Sequence, residues 1–212
     1  LGSMHETNRL DQYSDIDFFL IVNNDIDKKR YMEDISWLDV SPIAFSYIET
    51  RDGLKVIYED GILLEFAVFT LDELKHIPFQ EGTIYYKKDV INGNDLKPQV
   101  ALPNMKKDID KLISNCLSNL YVGMLRELRG EHVAAFLMIQ VYATSNLLKI
   151  LDAKQEDPFV VERRIENRLK IAYKDIYPGI AHNKDAVASI LKHLNNNDQK
   201  YKRLIQMIQD ML

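Results

Sequence analysis

Two aspartate pairs near the start of the chain have the residue types and spacing that most directly suggest chemistry. Asp15-Ile16-Asp17 leads into the apolar run FFLIV, whereas Asp25-Ile26-Asp27 follows two asparagines and precedes three basic residues. In a strand, side chains two residues apart point to the same face. We therefore expect Asp15 and Asp17 to lie side by side at the beginning of a buried strand. Like charges held that close repel unless a cation compensates them, which fits a divalent metal.

The second pair has a simpler interpretation as local helix structure. Asn23-Asn24 is typical of a turn, and Asp27 falls where a helix would begin, so its carboxylate could accept hydrogen bonds from free backbone amides. The spacing of Tyr31, Ile35 and Leu38 predicts a helix that runs from Asp27 to Leu38, with Asp27 as the N-cap. We assign the chemistry to the first pair only.

A third carboxylate, Glu65, lies in the apolar segment GILLEFAVF. An unpaired charge there would be costly, so Glu65 needs a partner. Two interpretations remain open. In the first, the role of Glu65 is structural: it faces solvent on an edge strand or pairs with an arginine. In the second, Glu65 lies on a strand beside Asp15 and Asp17. In the second case the three carboxylates form a site for magnesium, which prefers oxygen ligands.

Composition limits the remaining function classes. The chain has 212 residues, a net charge of -5 and 46% hydrophobic residues, which is typical of a soluble globular protein and argues against a polyanion binder. The single cysteine, Cys116, excludes an intramolecular disulfide and a cysteine-rich zinc site. Its apolar helical surroundings predict a buried thiol. Without a signal-peptide pattern or a long uninterrupted apolar stretch, we expect a cytoplasmic protein.

The two halves of the chain predict different architectures. Strands are expected over residues 18–22, 43–48, 56–58 and 62–69, and Asp60-Gly61 predicts antiparallel pairing of the last two. Thr70 and Glu73 have the spacing of a capping box. Beyond a linker at 89–103, the pattern is helical. The fold class we predict is α+β, with a small mixed β-sheet head over 1–95 followed by an all-helical C-terminal bundle over 101–212.

Taken together, Gly2-Ser3, Asp15-Ile16-Asp17 and Glu65 resemble the nucleotidyltransferase superfamily of DNA polymerase β type. The pattern of that superfamily is a Gly-Ser turn, a spacer, an Asp-x-Asp strand and a later acidic residue on a strand; here eleven residues separate Ser3 from Asp15. Within the superfamily the chain is similar to two-domain lincosamide and aminoglycoside antibiotic nucleotidyltransferases. LDQYSDIDFFL resembles their metal-binding strand, WLDVSPIAFSYIETRDGLKVIYEDGILLEFAVF their central sheet, and LSNLYVGMLRELRGEHVAAF the opening of their helical domain.

This resemblance implies a metal-dependent transfer of AMP from ATP to a hydroxyl of a small acceptor, with release of pyrophosphate. Gly2, Ser3 and Arg9 would bind the nucleotide phosphates, although an exposed loop position is the plainer interpretation of Arg9. Asp15 and Asp17 would hold two Mg²⁺ ions, and Glu65 would be a third ligand or the general base. The helical domain at 101–212 would bind the acceptor. There Glu131 is a candidate for contact with a cationic amine, or else an acid stabilised by a helix dipole.

The N-terminus departs from the superfamily, whose members have a helix and a strand before the Gly-Ser turn. The expected head lacks both, so either the natural N-terminus is short or residues precede Leu1. If instead Gly2-Ser3-Met4 came from cloning, Ser3 would lose its role and the carboxylates would keep theirs.

Functions of other classes stay open. They are a toxin–antitoxin-type nucleotidyltransferase acting on a protein or tRNA, a non-catalytic nucleotide-binding relative, and a ribonuclease suggested by Arg126 and His132. The expected partners are a nucleoside triphosphate and a small hydroxylated acceptor, with a homodimer as a candidate oligomeric state. We expect neither nucleic-acid nor membrane binding.

Overall fold

The computed structural model describes residues 11–102, 108–152, 165–195 and 198–212. The chain divides into two compact units, Leu1–Asn104 and Met105–Leu212, which we call the sheet unit and the helical unit. The first contains a small mixed sheet, and the regular elements in the described part of the second are helices. The predicted α+β class, a small mixed sheet followed by helices, is confirmed.

Among the described residues, four strands form the sheet: β1 Ile16–Val22, β2 Ile43–Ile48, β3 Gly53–Tyr58 and β4 Leu63–Thr70, in the order β1-β4-β3-β2. β4 lies parallel to β1 and antiparallel to β3, and β3 pairs with β2 antiparallel. The predicted antiparallel pairing of β3 and β4 is therefore confirmed. Gly61 in the connecting turn has φ +89, a left-handed conformation that glycine adopts without a steric penalty.

The first helix, α1, spans Asp25–Glu33 and begins one turn earlier than predicted. Its N-cap is Asn24, whose Oδ1 accepts a hydrogen bond from the Asp27 backbone N–H at 2.9 Å. The prediction that Asp27 is the N-cap was wrong, because Asn24 has the extended backbone that a cap requires. Asp27 lies in the first turn instead, where the helix dipole favours a negative charge. The predicted helix also ends early, and a separate 3-10 turn covers Ser36–Leu38.

A short helix, α2, covers Leu71–Leu74 and follows β4 directly. The predicted capping box is confirmed, because the Thr70 hydroxyl accepts from the Glu73 N–H and the Glu73 carboxylate accepts from the Thr70 N–H. A 3-10 turn at Gly93–Leu96 lies within the predicted linker.

One face of the sheet carries the core of this unit. Burial alternates along β3 and β4, as expected for strands with one covered face. The buried apolar side chains of this core cluster are Val22, Met32, Leu38, Leu54, Val56, Tyr58, Leu64, Phe66 and Val68. Within β3 and β4, the residues between the buried ones point to the opposite face, which is half-exposed and carries the charged side chains of Lys55 and Glu65.

The helical unit begins with α3, Ile109–Leu128, which ends before Gly130 with φ +78. The next helix is continuous from α4 His132–Phe136 through a π-helical segment, Leu137–Ala143, into α5 Thr144–Leu151. The shorter elements α6 and α7 and the longer helices α8 and α9 follow, at Ile165–Arg168, Tyr173–Ile176, Asn183–Leu194 and Gln199–Gln209. A 3-10 turn at Ile180–His182 precedes α8.

The core of the helical unit is formed by α3 and the helix over residues 132–151, and the later helices, including α8 and α9, add buried residues to it. Cys116 is fully buried there, as predicted, together with Leu120, Ile139 and Leu147. The segment His132–Leu151 is long and apolar enough to cross a membrane by length and composition. A core helix meets the same criterion, and this one contributes fully buried residues to the core, so the criterion is weak evidence for a membrane span.

Candidate functional site

A row of four polar side chains crosses the half-exposed face of the sheet, one from each strand. Asp17 of β1 is the register partner of Glu65 of β4. Glu65 is in turn opposite Lys55 of β3, and Lys55 is opposite Tyr47 of β2. Side chains at paired positions of neighbouring strands point to the same face. Two of the three predicted catalytic carboxylates therefore occupy adjacent positions in one row.

The β3–β4 hairpin sets the partner of Glu65. Lys55 and Glu65 lie five positions before and after Asp60, so the turn brings them opposite each other. The Glu65 Oε1 is 2.8 Å from the Lys55 Nζ, and the Glu49 Oε1 is 2.9 Å from the same nitrogen. These hydrogen bonds raise the pKa of the Lys55 ammonium, which remains charged at neutral pH. Glu65 thus has a structural cation as partner, but a lysine rather than the arginine considered from the sequence.

Asp17 shows the like-charge crowding that the Asp-x-Asp spacing predicts. The residue is exposed, but neighbouring atoms partly shield its carboxyl group from water. This loss of hydration, together with the negative charges of Asp15 and Glu65, raises the pKa of Asp17. Each of the three predicted carboxylates therefore takes part in one electrostatic cluster.

The donor set has the right chemistry for magnesium, because carboxylate oxygens are its preferred protein ligands. Within residues 11–102, 108–152, 165–195 and 198–212, however, no three His, Cys, Asp or Glu side chains are gathered closely enough to hold a metal. The Oε1 of Glu65 points to the Lys55 ammonium instead. A magnesium site formed by Asp15, Asp17 and Glu65 remains a prediction. Gly2, Ser3 and Arg9, the predicted phosphate-binding residues, lie outside the described residues.

Glu131, the predicted acceptor-binding residue, occupies the N-cap position of α4 but makes no side-chain capping bond. Its carboxylate accepts a 2.6 Å hydrogen bond from the Arg126 Nη1. The charge that was expected to attract a cationic acceptor is therefore compensated within the same segment. This pair was not predictable from the residue pattern, since the two residues meet only because the chain turns back at Gly130.

His132, the second residue of the ribonuclease interpretation, also has an acidic partner. Its Nδ1 is 2.9 Å from the Glu127 Oε1, and the other oxygen of Glu127 accepts a 2.8 Å hydrogen bond from the Asn183 Nδ2. The Glu127 side chain is mostly buried, and Asn183 is fully so. Glu127 therefore ties the start of α4 to α8, which is a structural role.

Lys55 is the residue that sequence reasoning missed. The signal that could have found it is the turn itself, because the hairpin centred on Asp60 pairs residues at equal distances on either side. Tyr47 carries no such signal, since the connection from β2 to β3 has no comparably clear centre.

Comparisons with known proteins give little beyond this geometry. No family model matches the chain, and no curated protein matches it. Among solved structures, an aminoglycoside 6-adenyltransferase from Bacillus subtilis is similar at 11% identity, with a TM-score of 0.29, over 93% of this chain and 88% of that one. A similarity at this level assigns neither a family nor an activity, so function has to follow from the chain's own residues.

Proposed function

We propose that this chain is a nucleotidyltransferase that moves AMP from ATP to a hydroxyl of a small molecule and releases pyrophosphate. The observation that carries the proposal is the electrostatic cluster that Asp17 and Glu65, which are neighbours on the half-exposed face of the sheet, form with Asp15. Burial, and then the like charges of Asp15 and Glu65, raise the pKa of Asp17, and a carboxyl group perturbed in this way is typical of a functional site.

The proposed roles follow from the positions of the carboxylates: Asp17 and Glu65 are neighbours in the row, and Asp15 directly precedes β1. Asp15 and Asp17 would hold Mg²⁺, with Glu65 as a further ligand or as the general base. When bound, two magnesium ions would neutralise the triphosphate and stabilise the attacking and departing oxygens. Gly2 and Ser3 would donate hydrogen bonds to the β and γ phosphates, with Arg9 adding positive charge.

The group transfer balances without an oxidant or a reductant. The acceptor oxygen forms a bond to the α-phosphorus of ATP while the bond from that phosphorus to the β-phosphate oxygen breaks. The acceptor proton passes to a carboxylate, for which Glu65 is the candidate, and pyrophosphate leaves with the electron pair.

For the acceptor we propose a lincosamide or aminoglycoside-like antibiotic. The chain has a net charge of -5, which favours a cationic small molecule over a nucleic acid. Glu131 stays a candidate contact, although an acceptor amine would have to compete with Arg126 for its carboxylate. A cytoplasmic location, where ATP is available, belongs to the same proposal.

Pyrophosphate release tests the proposal directly. Purified chain is mixed with Mg²⁺, ATP and each member of a panel of lincosamides and aminoglycosides, and pyrophosphate release is measured. Mass spectrometry then shows whether AMP has been added to the drug. We expect a drug-dependent signal that disappears in Asp17→Asn. Asp25→Asn is the matched control, because it neutralises an aspartate of the second pair and should leave turnover unchanged. No product with any drug, while ATP and Mg²⁺ still bind, would refute the antibiotic acceptor.

A further inference from the structure

Lys55 holds two carboxylates at once. Its Nζ lies 2.8 Å from the Glu65 Oε1 and 2.9 Å from the Glu49 Oε1. A lysine ammonium has three N–H donors, so it can bond to both groups without weakening either contact. Glu65 belongs to the proposed catalytic row, whereas Glu49 directly follows β2 and lies outside it. Lys55 therefore connects the proposed site to an acid that the proposed mechanism does not use.

A second lysine with two acidic partners shows why this arrangement is distinctive. Lys28 lies 2.6 Å from Asp52 and 2.7 Å from Glu73. The side chain of Lys28 is only 11% exposed and its ammonium lies over the ring of Phe69, so this lysine is more enclosed than Lys55, although Asp52 and Glu73 are themselves 29% and 32% exposed. The side chains of Lys55 and Glu65 are 25% and 32% exposed. Ions in solution can therefore reach the Lys55 contacts.

The Lys55 ammonium and a divalent cation would compete for the same carboxylate. Glu65 is the register partner of Asp17, so any cation held by Asp17 and Glu65 together has to share Glu65 with Lys55 or displace it. Displacement would be costly if it left the ammonium without a partner. Glu49 removes that cost, because its bond to the ammonium does not depend on Glu65.

We propose that Lys55 is a positioning residue that holds Glu65 beside Asp17 in the absence of a divalent cation and releases it to the cation, with Glu49 retaining the ammonium. This inference rests on the proposed function and deepens it. Lys55 thereby sets the affinity of the site for metal, and Glu49 tunes that affinity by sharing the ammonium.

Metal affinity of the full-length chain tests the proposal without relying on turnover. Mg²⁺ binding is measured by titration calorimetry for the unaltered chain, Lys55→Met, Lys55→Gln and Glu49→Gln. We expect both Lys55 variants to bind Mg²⁺ roughly tenfold more tightly, because a competing positive charge is gone. Glu49→Gln should bind several-fold more weakly, since the ammonium then has Glu65 alone.

Two further variants make the result specific. Lys29→Met is the matched control, because Lys29 is an exposed lysine paired with Glu33 on α1 and its loss should leave Mg²⁺ affinity unchanged. In the double variant Lys55→Met with Glu65→Gln, the gain in affinity should disappear. Circular dichroism confirms that each variant is folded.

The outcomes separate this inference from the proposed function. If the unaltered chain binds Mg²⁺ through Asp17 and Lys55→Met binds it equally or more weakly, Lys55 only supports the structure, and the inference fails while the proposed function stands. If neither the unaltered chain nor either Lys55 variant binds Mg²⁺, both the inference and the metal-dependent function fail.

Discussion

Neutralising Asp17 should make the sheet unit more stable while abolishing turnover. Burial of its carboxyl, followed by the charges of Asp15 and Glu65, raises the pKa of Asp17 above the ordinary value of 3.8. The folded chain therefore binds this proton more tightly than the unfolded chain does. The resulting stabilisation is fully present below pH 3.8 and is lost as the pH rises through the higher folded-state pKa. At neutral pH the ionised side chain is a net cost.

Burial is the first cause of that cost, and the repulsion by the neighbouring charges adds to it. Two like charges about 4 Å apart in water repel by about 1 kcal/mol. Asp17 is exposed, and the Lys55 ammonium offsets part of the Glu65 charge, so solvent and counter-charge reduce this figure. We expect the free energy of unfolding of Asp17→Asn to exceed that of the unaltered chain by about 0.5–1 kcal/mol at pH 7 and low salt.

The single tryptophan provides the assay. Trp37 packs edge-on against Phe66 in the core of the sheet unit, with ring centroids 5.5 Å apart. Its fluorescence during urea titration therefore reports unfolding of this unit and not of the helical one. Measurements at pH 7 and pH 3, at low and high salt, separate the charge effect from packing, because salt screens repulsion between exposed groups.

Asp25→Asn is the control, with an expected effect of opposite sign. Asp25 lies in the first turn of α1, where a negative charge is favourable by about 0.3–1 kcal/mol. Its loss should destabilise the unit slightly and leave turnover unchanged. The charge explanation would be refuted if Asp17→Asn were less stable than the unaltered chain at pH 7, or if its gain in stability were as large at pH 3.

Three further predictions concern packing and burial. Gly123→Ala should lower the free energy of unfolding of the helical unit by about 1–3 kcal/mol, because the added Cβ would lie 2.4 Å from the Ile139 Cγ1. Circular dichroism in urea measures this loss, and unchanged stability would show that α3 can move aside. Lys28→Met should cost the sheet unit about 1–3 kcal/mol at pH 7, since two partly buried carboxylates lose their cation, and Trp37 fluorescence in urea would detect it. This cost should shrink in acid. Burial raises the pKa of Glu73, but the hydrogen bonds from Lys28 and Thr70 outweigh burial and leave that pKa below its ordinary value of 4.5. The stabilisation from the ionised Glu73 is therefore present above pH 4.5 and is lost as the pH falls through the lower folded-state pKa. Burial raises the pKa of Cys116 to about 12, so a thiol reagent should react only after unfolding; equal rates for the folded and denatured chain would contradict this.

The strands of the sheet unit were predictable because their signals are local. Alternating or continuous apolar runs mark each strand, and Asp60-Gly61 fixes the β3–β4 turn. The same turn contains the information that Lys55 lies opposite Glu65. By contrast, the parallel pairing of Asp17 with Glu65 joins strands that are more than forty residues apart in sequence. No local feature sets that register, so the sequence could suggest the proximity of these carboxylates but not their exact alignment.

Helix boundaries were less predictable, for a reason that Asn24 illustrates. Asparagine and aspartate are nearly equal as N-caps, so composition alone cannot choose between Asn24 and Asp27. The choice depends on backbone angles: Asn24 has φ -158, outside the helical range, whereas Asp27 is already within the helix. The π-helical segment within residues 137–143 is a second case, because its apolar pattern resembles that of an ordinary α-helix.

The repeated Asp-Ile-Asp tripeptide shows that the backbone conformation determines which interactions two identical pairs of aspartates can make. Asp17 lies in β1 and Asp15 directly precedes it, and burial, followed by the charge of Asp15, raises the pKa of Asp17. Asp25-Ile26-Asp27 begins α1, where residues two apart do not face each other, and Asp27 instead accepts a hydrogen bond from the Asn24 side chain. A cation could therefore bind both carboxylates of the first pair but only one carboxylate of the second pair. Identical residues at identical spacing thus give one candidate metal-binding pair and one helix terminus.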